Sequence, residues 1–160
     1  MIGPLPLPSP HPTMHAALLH AHNLLRWVVL LAGLATVVQS ARGLDGSRPF
    51  AGTRKTLLAF TASLHLQLLL GLGLFVVSPY IQSLMADMPA TMRDGASRFF
   101  IAEHPTLMVV AVIVGTVGGV VAKNAADDAA RHRKALLFVL VTLALVLAGI
   151  PWQRPLLPGA

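Results

Sequence analysis

Histidines are the side chains of this sequence best suited to chemistry. The sequence contains seven of them and no cysteine. The lack of cysteine excludes disulfides, thiolate metal sites, iron–sulfur clusters and covalently attached c-type haem. A metal or cofactor must therefore be held by imidazole, by methionine or by backbone groups.

Two of the histidines, His22 and His104, lie at matching distances from basic residues further along the chain. His22 precedes Arg42 by 20 residues, and His104 precedes Lys123 by 19 residues. At a helical rise of ~1.5 Å per residue, these separations are about 30 Å and about 28 Å. If both segments are helices whose basic ends lie at one membrane surface, the two imidazoles share one depth, near the opposite surface.

Neutral imidazoles from two different helices are the usual axial ligands of a b-type haem. The matching depths therefore make His22 and His104 candidate ligands of one haem iron. Arg26 lies one helical turn from His22, and Arg154 lies 20 residues beyond Lys134 and returns to the same layer. Either guanidinium can pair with haem propionates through charge-assisted hydrogen bonds.

Other interpretations of these histidines stay open. Those near the outer surface can be ordinary polar side chains of a wet interface, and Pro105 favours a cap or loop conformation for His104. His65 lies 10 residues from Lys55, which places it about 15 Å from the basic surface, near the midplane. His65 is a less favoured metal ligand or proton carrier, or else a buried imidazole hydrogen-bonded to Thr61.

The elements that position these residues are predicted to be membrane-spanning helices. Hydrophobic residues make up 55% of the sequence and charged residues 11%, with a mean hydropathy of +0.71, which excludes an ordinary soluble domain. No charged residue lies within 56–86, 104–122 or 135–153, and each gap is comparable with the roughly 20 residues that cross a bilayer. The first span is shorter, so we expect Arg26 to lie near a membrane surface and to extend outward.

We therefore predict an all-α fold, an integral membrane four-helix bundle with both termini outside. The four helices are expected at about 14–40, 56–78, 105–122 and 135–150. They form a single transmembrane domain at 14–152. Residues 1–13 are predicted to be a flexible proline-rich leader, and residues 153–160 a C-terminal tail.

Basic residues set the expected orientation. Eight of the twelve lysines and arginines lie in the two loops predicted on one side: Arg42, Arg48, Arg54, Lys55, Lys123, Arg131, Arg133 and Lys134. This excess marks the cytoplasmic side, so the net charge of +6 fits membrane orientation and does not indicate nucleic acid binding. Trp27 and Trp152 fall near the outer edge, where indole rings favour the headgroup layer.

Small residues in the third helix predict close packing against another helix. Ala111, Gly115 and Gly119 recur at intervals of four residues. In the outer loop that precedes this helix, a short interfacial helix is expected around 90–100.

Four segments carry distinctive runs: HAHNLLRW at 20–27, HLQLLLGLGLF at 65–75, RFFIAEHP at 98–105 and AGIPWQRPL at 148–156. Because of these segments, the chain from about residue 20 to residue 158 resembles a family of small bacterial four-helix membrane proteins often labelled cytochrome b. The resemblance implies a b-type haem near the outer face and a location in the bacterial inner (plasma) membrane.

The resemblance also implies which residues form the shared site. The family's recurring residues match His22, Asn23, Arg26, Trp27, Arg98, Phe99, Glu103, His104, Pro151, Trp152, Arg154 and Pro155. Trp27 and Trp152 are therefore expected to help bind the cofactor beside the two arginines. His65 stands where relatives often have an acidic residue, and the third helix lacks a histidine that many carry near its inner end. A second haem is therefore not expected.

The favoured function is a b-type cytochrome or cytochrome-like subunit that exchanges electrons with a quinone or redox partner. One alternative is a cofactor-free accessory subunit of a larger respiratory or photosynthetic membrane complex, and homo-oligomers fit the same interpretation. A small proton or metal transporter is the lowest alternative, because the spans contain no interior carboxylate and no inverted repeat. A stand-alone enzyme is disfavoured, since no nucleophile, base and orienting acid can be assembled.

Overall fold

Four helices in the described part of the chain are long and apolar enough to cross a membrane. The structure is a computed structural model that describes the backbone of residues 11–153 and the side chains of residues 14–153. In chain order the helices are α1 (His11–Ala41), α2 (Phe50–Val77), α3 (Pro79–Ala86), α4 (Met88–Arg93), α5 (Gly95–Arg98), α6 (His104–Lys123) and α7 (Asp128–Gly149). The predicted all-α four-helix bundle is confirmed. Most of the predicted leader and tail, with Arg154, lies outside the described residues.

The outside of the bundle is apolar. Leu31 and Leu69 are each 64% exposed, and Val76 is 70% exposed. Large aliphatic side chains exposed along helices of this length are stable in contact with lipid tails. The chain is therefore a multi-pass membrane protein whose helices contact the bilayer.

Two helices begin earlier than the hydropathy predicts. Helix α2 begins at Phe50, six residues before the expected start, directly after Pro49. Helix α7 begins at Asp128, seven residues before the expected start, and Asp127 caps it by accepting the Ala130 N–H. Apolar sequence marks the part of a helix that lies in lipid, whereas capping residues mark where the helix begins.

Three short helices, α3 to α5, connect α2 to α6 at one end of the bundle. We call this end the outer end and the opposite end, which carries most of the lysines and arginines, the basic end. Each short helix begins at a capping side chain, in the order Ser78, Asp87 and Asp94. The interfacial helix expected around 90–100 is therefore divided between α4, α5 and the segment that follows.

A π-helical segment, Phe99–Glu103, joins α5 to α6. In it the His104 N–H bonds to the carbonyl of Phe99, five residues earlier. The wider turn accommodates Pro105, whose ring lacks an N–H and disturbs a regular α-helix. His104 is consequently helical, with φ −58° and ψ −52°, and is not the cap or loop residue that Pro105 suggested.

The long helices form a ring in which α1 packs on α2 and α7, and α6 packs on the same two helices. Helices α1 and α6 therefore lie diagonally and have little direct contact. The core between the helices includes Val29, Phe60 and Val139, each at most 1% exposed. The buried hydroxyls of Thr36 and Thr142 donate to backbone carbonyls one turn earlier, so they need no partner from another helix.

The small-residue face of α6 differs from the prediction by one position. Ala111 and Gly115 are buried as expected, but Gly118 meets α7 where Gly119 was expected. A Cβ at Gly118 would lie 2.2 Å from the Phe138 Cβ, whereas a Cβ at Gly119 would have its nearest neighbour at 3.8 Å. Steps of four and then three residues follow the helical period of about 3.6 better than constant steps of four.

Candidate functional site

His22 and His104 meet near the outer end of the bundle, on the diagonal helices α1 and α6. Their ring centroids are 6.3 Å apart, and the ring planes are inclined at 71°. The two side chains thus join helices that have little other contact. Their common depth agrees with the spacing from Arg42 and Lys123.

The carbonyl of Gly149, the last residue of α7, orients His104. The His104 Nδ1 atom lies 2.6 Å from this carbonyl oxygen. Because a carbonyl only accepts, Nδ1 carries the proton and Nε2 presents a lone pair. Metal-binding histidines are usually oriented by such a bond from the other ring nitrogen. The Phe99 ring packs beside the imidazole, 6.1 Å away between centroids.

Two residues of α2 hold His22. Gln67 donates from Nε2 to the His22 backbone carbonyl oxygen at 2.9 Å. Gly71 lies against the ring, and a Cβ there would be 3.3 Å from His22 Cε1. The ring can therefore approach α2 because residue 71 has no side chain. The His22 Nδ1 atom is buried without a hydrogen-bond partner among the described residues.

Arg26 is buried inside the bundle, with 8% of its surface exposed. Its Nη2 donates to the Asn23 side-chain oxygen one turn earlier, and its Nη1 is buried with no partner in the described part of the chain. The expectation that Arg26 extends outward to the membrane surface is therefore wrong, because Asn23 holds the guanidinium inward. Arg26 follows His22 by four residues, so the guanidinium and the imidazole lie on the same face of α1. A fixed positive charge thus lies beside the imidazole pair.

Unsatisfied polar atoms are concentrated at this site. Four buried side-chain nitrogen or oxygen atoms lack a hydrogen-bond partner within residues 14–153, and three of them belong to His22, Arg26 and Gln67. Such atoms are rare in folded proteins, since each costs about 1–3 kcal/mol. Three of these atoms thus lie around the imidazole pair, where the polar groups of a ligand would satisfy them.

The available donors suit an iron with two axial imidazoles. No group of three or more His, Cys, Asp or Glu side chains lies together among the residues that the structure describes. These residues therefore do not form a four-ligand zinc site. A b-type haem needs only two imidazoles from the protein, and its carboxylates pair well with a guanidinium. His22, His104 and Arg26 fit these requirements.

The two tryptophans predicted to help bind the cofactor lie on the surface of the bundle. Trp27 is 36% exposed and Trp152 is 53% exposed. The Trp152 indole N–H donates to the Leu147 carbonyl oxygen at 3.0 Å. Both positions suit an anchor in the headgroup layer.

His65 lies apart from the pair, on the surface formed by α2 and α6. Its Nδ1 is 2.7 Å from the Thr61 carbonyl oxygen, and its Nε2 is 3.3 Å from the Thr116 hydroxyl. The side chain is exposed, so the expectation of a buried imidazole is wrong, although the link to Thr61 is formed. Thr116 is 12 residues beyond His104, or about 18 Å along α6, so the two histidines lie at different depths.

Sequence reasoning assigned no role in this site to Gly71 or Gly149, and it noted Gln67 only as a polar residue of α2. The sequence does contain a signal for Gln67 and Gly71. Gln67 and Gly71 lie one turn apart and so share a helix face, and an amide side chain within an apolar span is a functional signal. The carbonyl of Gly149 gives no such signal, because every residue has one.

Each of the four sequence segments that carry the family resemblance contributes a residue to the site. In chain order they supply His22 with Arg26, Gln67 with Gly71, His104, and the Gly149 carbonyl. Comparisons of the chain with protein-family models, with curated proteins and with solved structures found no match.

Proposed function

We propose that this chain is a b-type cytochrome or cytochrome-like subunit that binds one haem near the outer face of the bacterial inner membrane. His22 and His104 are the axial ligands of the iron, and the protein exchanges electrons with a quinone or a redox partner. The observation that carries the proposal is the 6.3 Å separation of the two ring centroids.

This separation suits a shared iron. Two imidazoles that bind one metal ion, each through a nitrogen about 2 Å away, place their ring centres roughly 6 Å apart. Packed aromatic rings also adopt edge-to-face arrangements at similar distances. The lone pair on His104 Nε2 favours a shared ligand over simple packing.

The groups around the pair fit the rest of a haem. The buried Arg26 Nη1 has an N–H available, and such a group pairs strongly with a carboxylate. Arg154 stays a predicted second partner for the propionates. Haem, when bound, supplies one-electron chemistry. The protein residues hold and orient it, and the apolar helices limit access of water.

An optical spectrum of the detergent-purified full chain tests the proposal. Protein produced with an ample haem supply is expected to show a Soret band, visible bands that sharpen on reduction, and about one haem per chain. His22→Ala and His104→Ala each remove an axial ligand. We expect either change to lower haem content at least about tenfold, because even the loss of an orienting partner commonly weakens metal binding that much.

His20→Ala is the matched control, because His20 is exposed and lies two residues before His22, on a different face of α1. His20→Ala and His65→Ala are expected to keep the Soret band. A colourless wild type, or equal losses in His20→Ala and His22→Ala, would contradict the proposal.

His65 and Thr116 favour a second candidate function, that of a cofactor-free accessory subunit in a larger respiratory or photosynthetic complex. Both side chains are exposed on the face formed by α2 and α6. Polar side chains on such a face are typical of contacts with a helix of another subunit. This function predicts a larger assembly in native membranes and no Soret band from the purified chain.

A further inference from the structure

We propose that the basic end of the bundle contains a binding site for a phosphate group, in a cavity between α1, α2 and α7. The cavity has a volume of about 260 Å³. Its lining includes Arg42 just after α1, Arg48 in the following loop, and the amide side chain of Gln39. This inference does not rest on haem binding at the outer end.

Neither arginine of the cavity forms a direct ion pair among the described residues, although the charges of Asp45 and Arg48 interact over a longer distance. The ion pairs formed within that part of the chain do not include Arg42 or Arg48. Asp45, in the same loop, instead accepts two hydrogen bonds from Ser47. None of the described residues that line the cavity is acidic. Two guanidinium groups that face a cavity without a carboxylate favour an anion, and guanidinium geometry matches phosphate.

Helix α2 begins at the same cavity. Its cap position is occupied by Pro49, whose side chain has no polar atom, so that residue leaves the helix start uncapped. The first N–H, that of Phe50, donates to Asp128, and Gly52 in the first turn lines the cavity. N–H groups at a helix start carry partial positive charge and bind phosphate well. The start of α2 therefore adds only part of its positive field to that of the two arginines, because the Asp128 carboxylate already accepts its first N–H.

His132 fixes the wall of the cavity. The side chain is 1% exposed, with Nε2 3.1 Å from the Arg48 carbonyl oxygen and Nδ1 3.4 Å from the Thr53 hydroxyl. Gly43 packs so closely on the imidazole that a Cβ there would lie 2.3 Å from Nε2. The loop backbone at Arg48 is thus tied to α7 and lies against the start of α2. A site held in place in this way loses little entropy on binding.

Two ligands present the same phosphate group to the site: an anionic phospholipid headgroup and free inorganic phosphate. Cationic pockets between helices at the cytoplasmic side commonly bind lipid headgroups. A neighbouring cavity of about 380 Å³ is lined by three cations, Arg54, Lys123 and Arg131, but also by the Asp128 carboxylate, which pairs with Arg131 and which a phosphate bound there would meet. The second cavity therefore provides a control on the same face of the protein.

Titration of the full chain in neutral detergent tests the site, with thermal unfolding as the readout of affinity. The probes are phosphatidylglycerol, diacylglycerol as the lipid without phosphate, and inorganic phosphate at constant ionic strength. The R42Q/R48Q variant is expected to bind the phosphate-bearing probe at least about tenfold more weakly than wild type. The R54Q/K123Q variant loses the same charge and is expected to stay within about twofold of wild type.

Comparing phosphatidylglycerol with inorganic phosphate identifies the source of the phosphate group. A difference between the variants with phosphatidylglycerol alone assigns a lipid headgroup, and a difference with inorganic phosphate as well assigns the free anion. R42K/R48K retains both charges and is expected to restore part of the binding, which separates loss of the site from loss of the fold. Equal weakening in the two glutamine variants, or no binding of either phosphate probe to wild type, would overturn the inference.

Discussion

At the scale of single residues, the two imidazoles are positioned by groups from other helices. Gly71 of α2 leaves room for the His22 ring, and the Gly149 carbonyl of α7 orients His104. The sequence could predict that these imidazoles share a depth, because depth follows from counting residues along a helix. It could not predict that Arg26 turns inward, because side-chain direction depends on partners that hydropathy does not describe.

Replacing Gly71 with valine tests the fit around His22. A Cβ at Gly71 would lie 3.3 Å from His22 Cε1, whereas a Cβ at Gly73 would be 3.8 Å from its nearest neighbour, a Leu18 methyl group. Gly71→Val is expected to displace the imidazole and to lower haem content about tenfold. Gly73→Val is expected to leave haem content unchanged. If the Soret absorbance per chain is the same for both variants, Gly71 does not shape the site.

At the scale of helices, the apolar runs predicted the four spans but not where every helix begins. Helix α7 starts at Asp128 because Asp127 caps it, and α2 starts at Phe50 directly after Pro49, so local residues and not hydropathy mark both starts. Pro105 indicated a break in the third span. The break takes the form of a π-helical turn that keeps His104 helical, and composition alone does not distinguish this from a loop.

The contact between α6 and α7 predicts opposite effects at two adjacent glycines. Gly118→Ala places a methyl group 2.2 Å from the Phe138 Cβ, so it is expected to lower the free energy of unfolding by about 1–3 kcal/mol. Gly119→Ala meets its nearest neighbour at 3.8 Å and is expected to be neutral or stabilising by up to about 1 kcal/mol. Unfolding in sodium dodecyl sulfate, followed by circular dichroism, measures both. Equal destabilisation would contradict the packing described for α6.

At the scale of the whole molecule, the basic residues predict which end of the bundle faces the cytoplasm. The sequence has no cysteine, so single cysteines can report the orientation. Ala86→Cys at the outer end is expected to react with a membrane-impermeant maleimide in intact cells. Ala126→Cys at the basic end is exposed in the structure but is expected to react only after permeabilisation. The reverse pattern would show that the termini face the cytoplasm.

We propose that two imidazoles from diagonal helices share one haem iron. Electron paramagnetic resonance of the oxidised, haem-loaded chain detects such an iron and reports its ligands. We predict a low-spin ferric signal, because two imidazoles would give the iron a strong ligand field. His104→Ala is expected to convert the signal to high spin. A wild type without a haem signal, or a low-spin signal that survives both His22→Ala and His104→Ala, would show that these histidines do not share a haem iron.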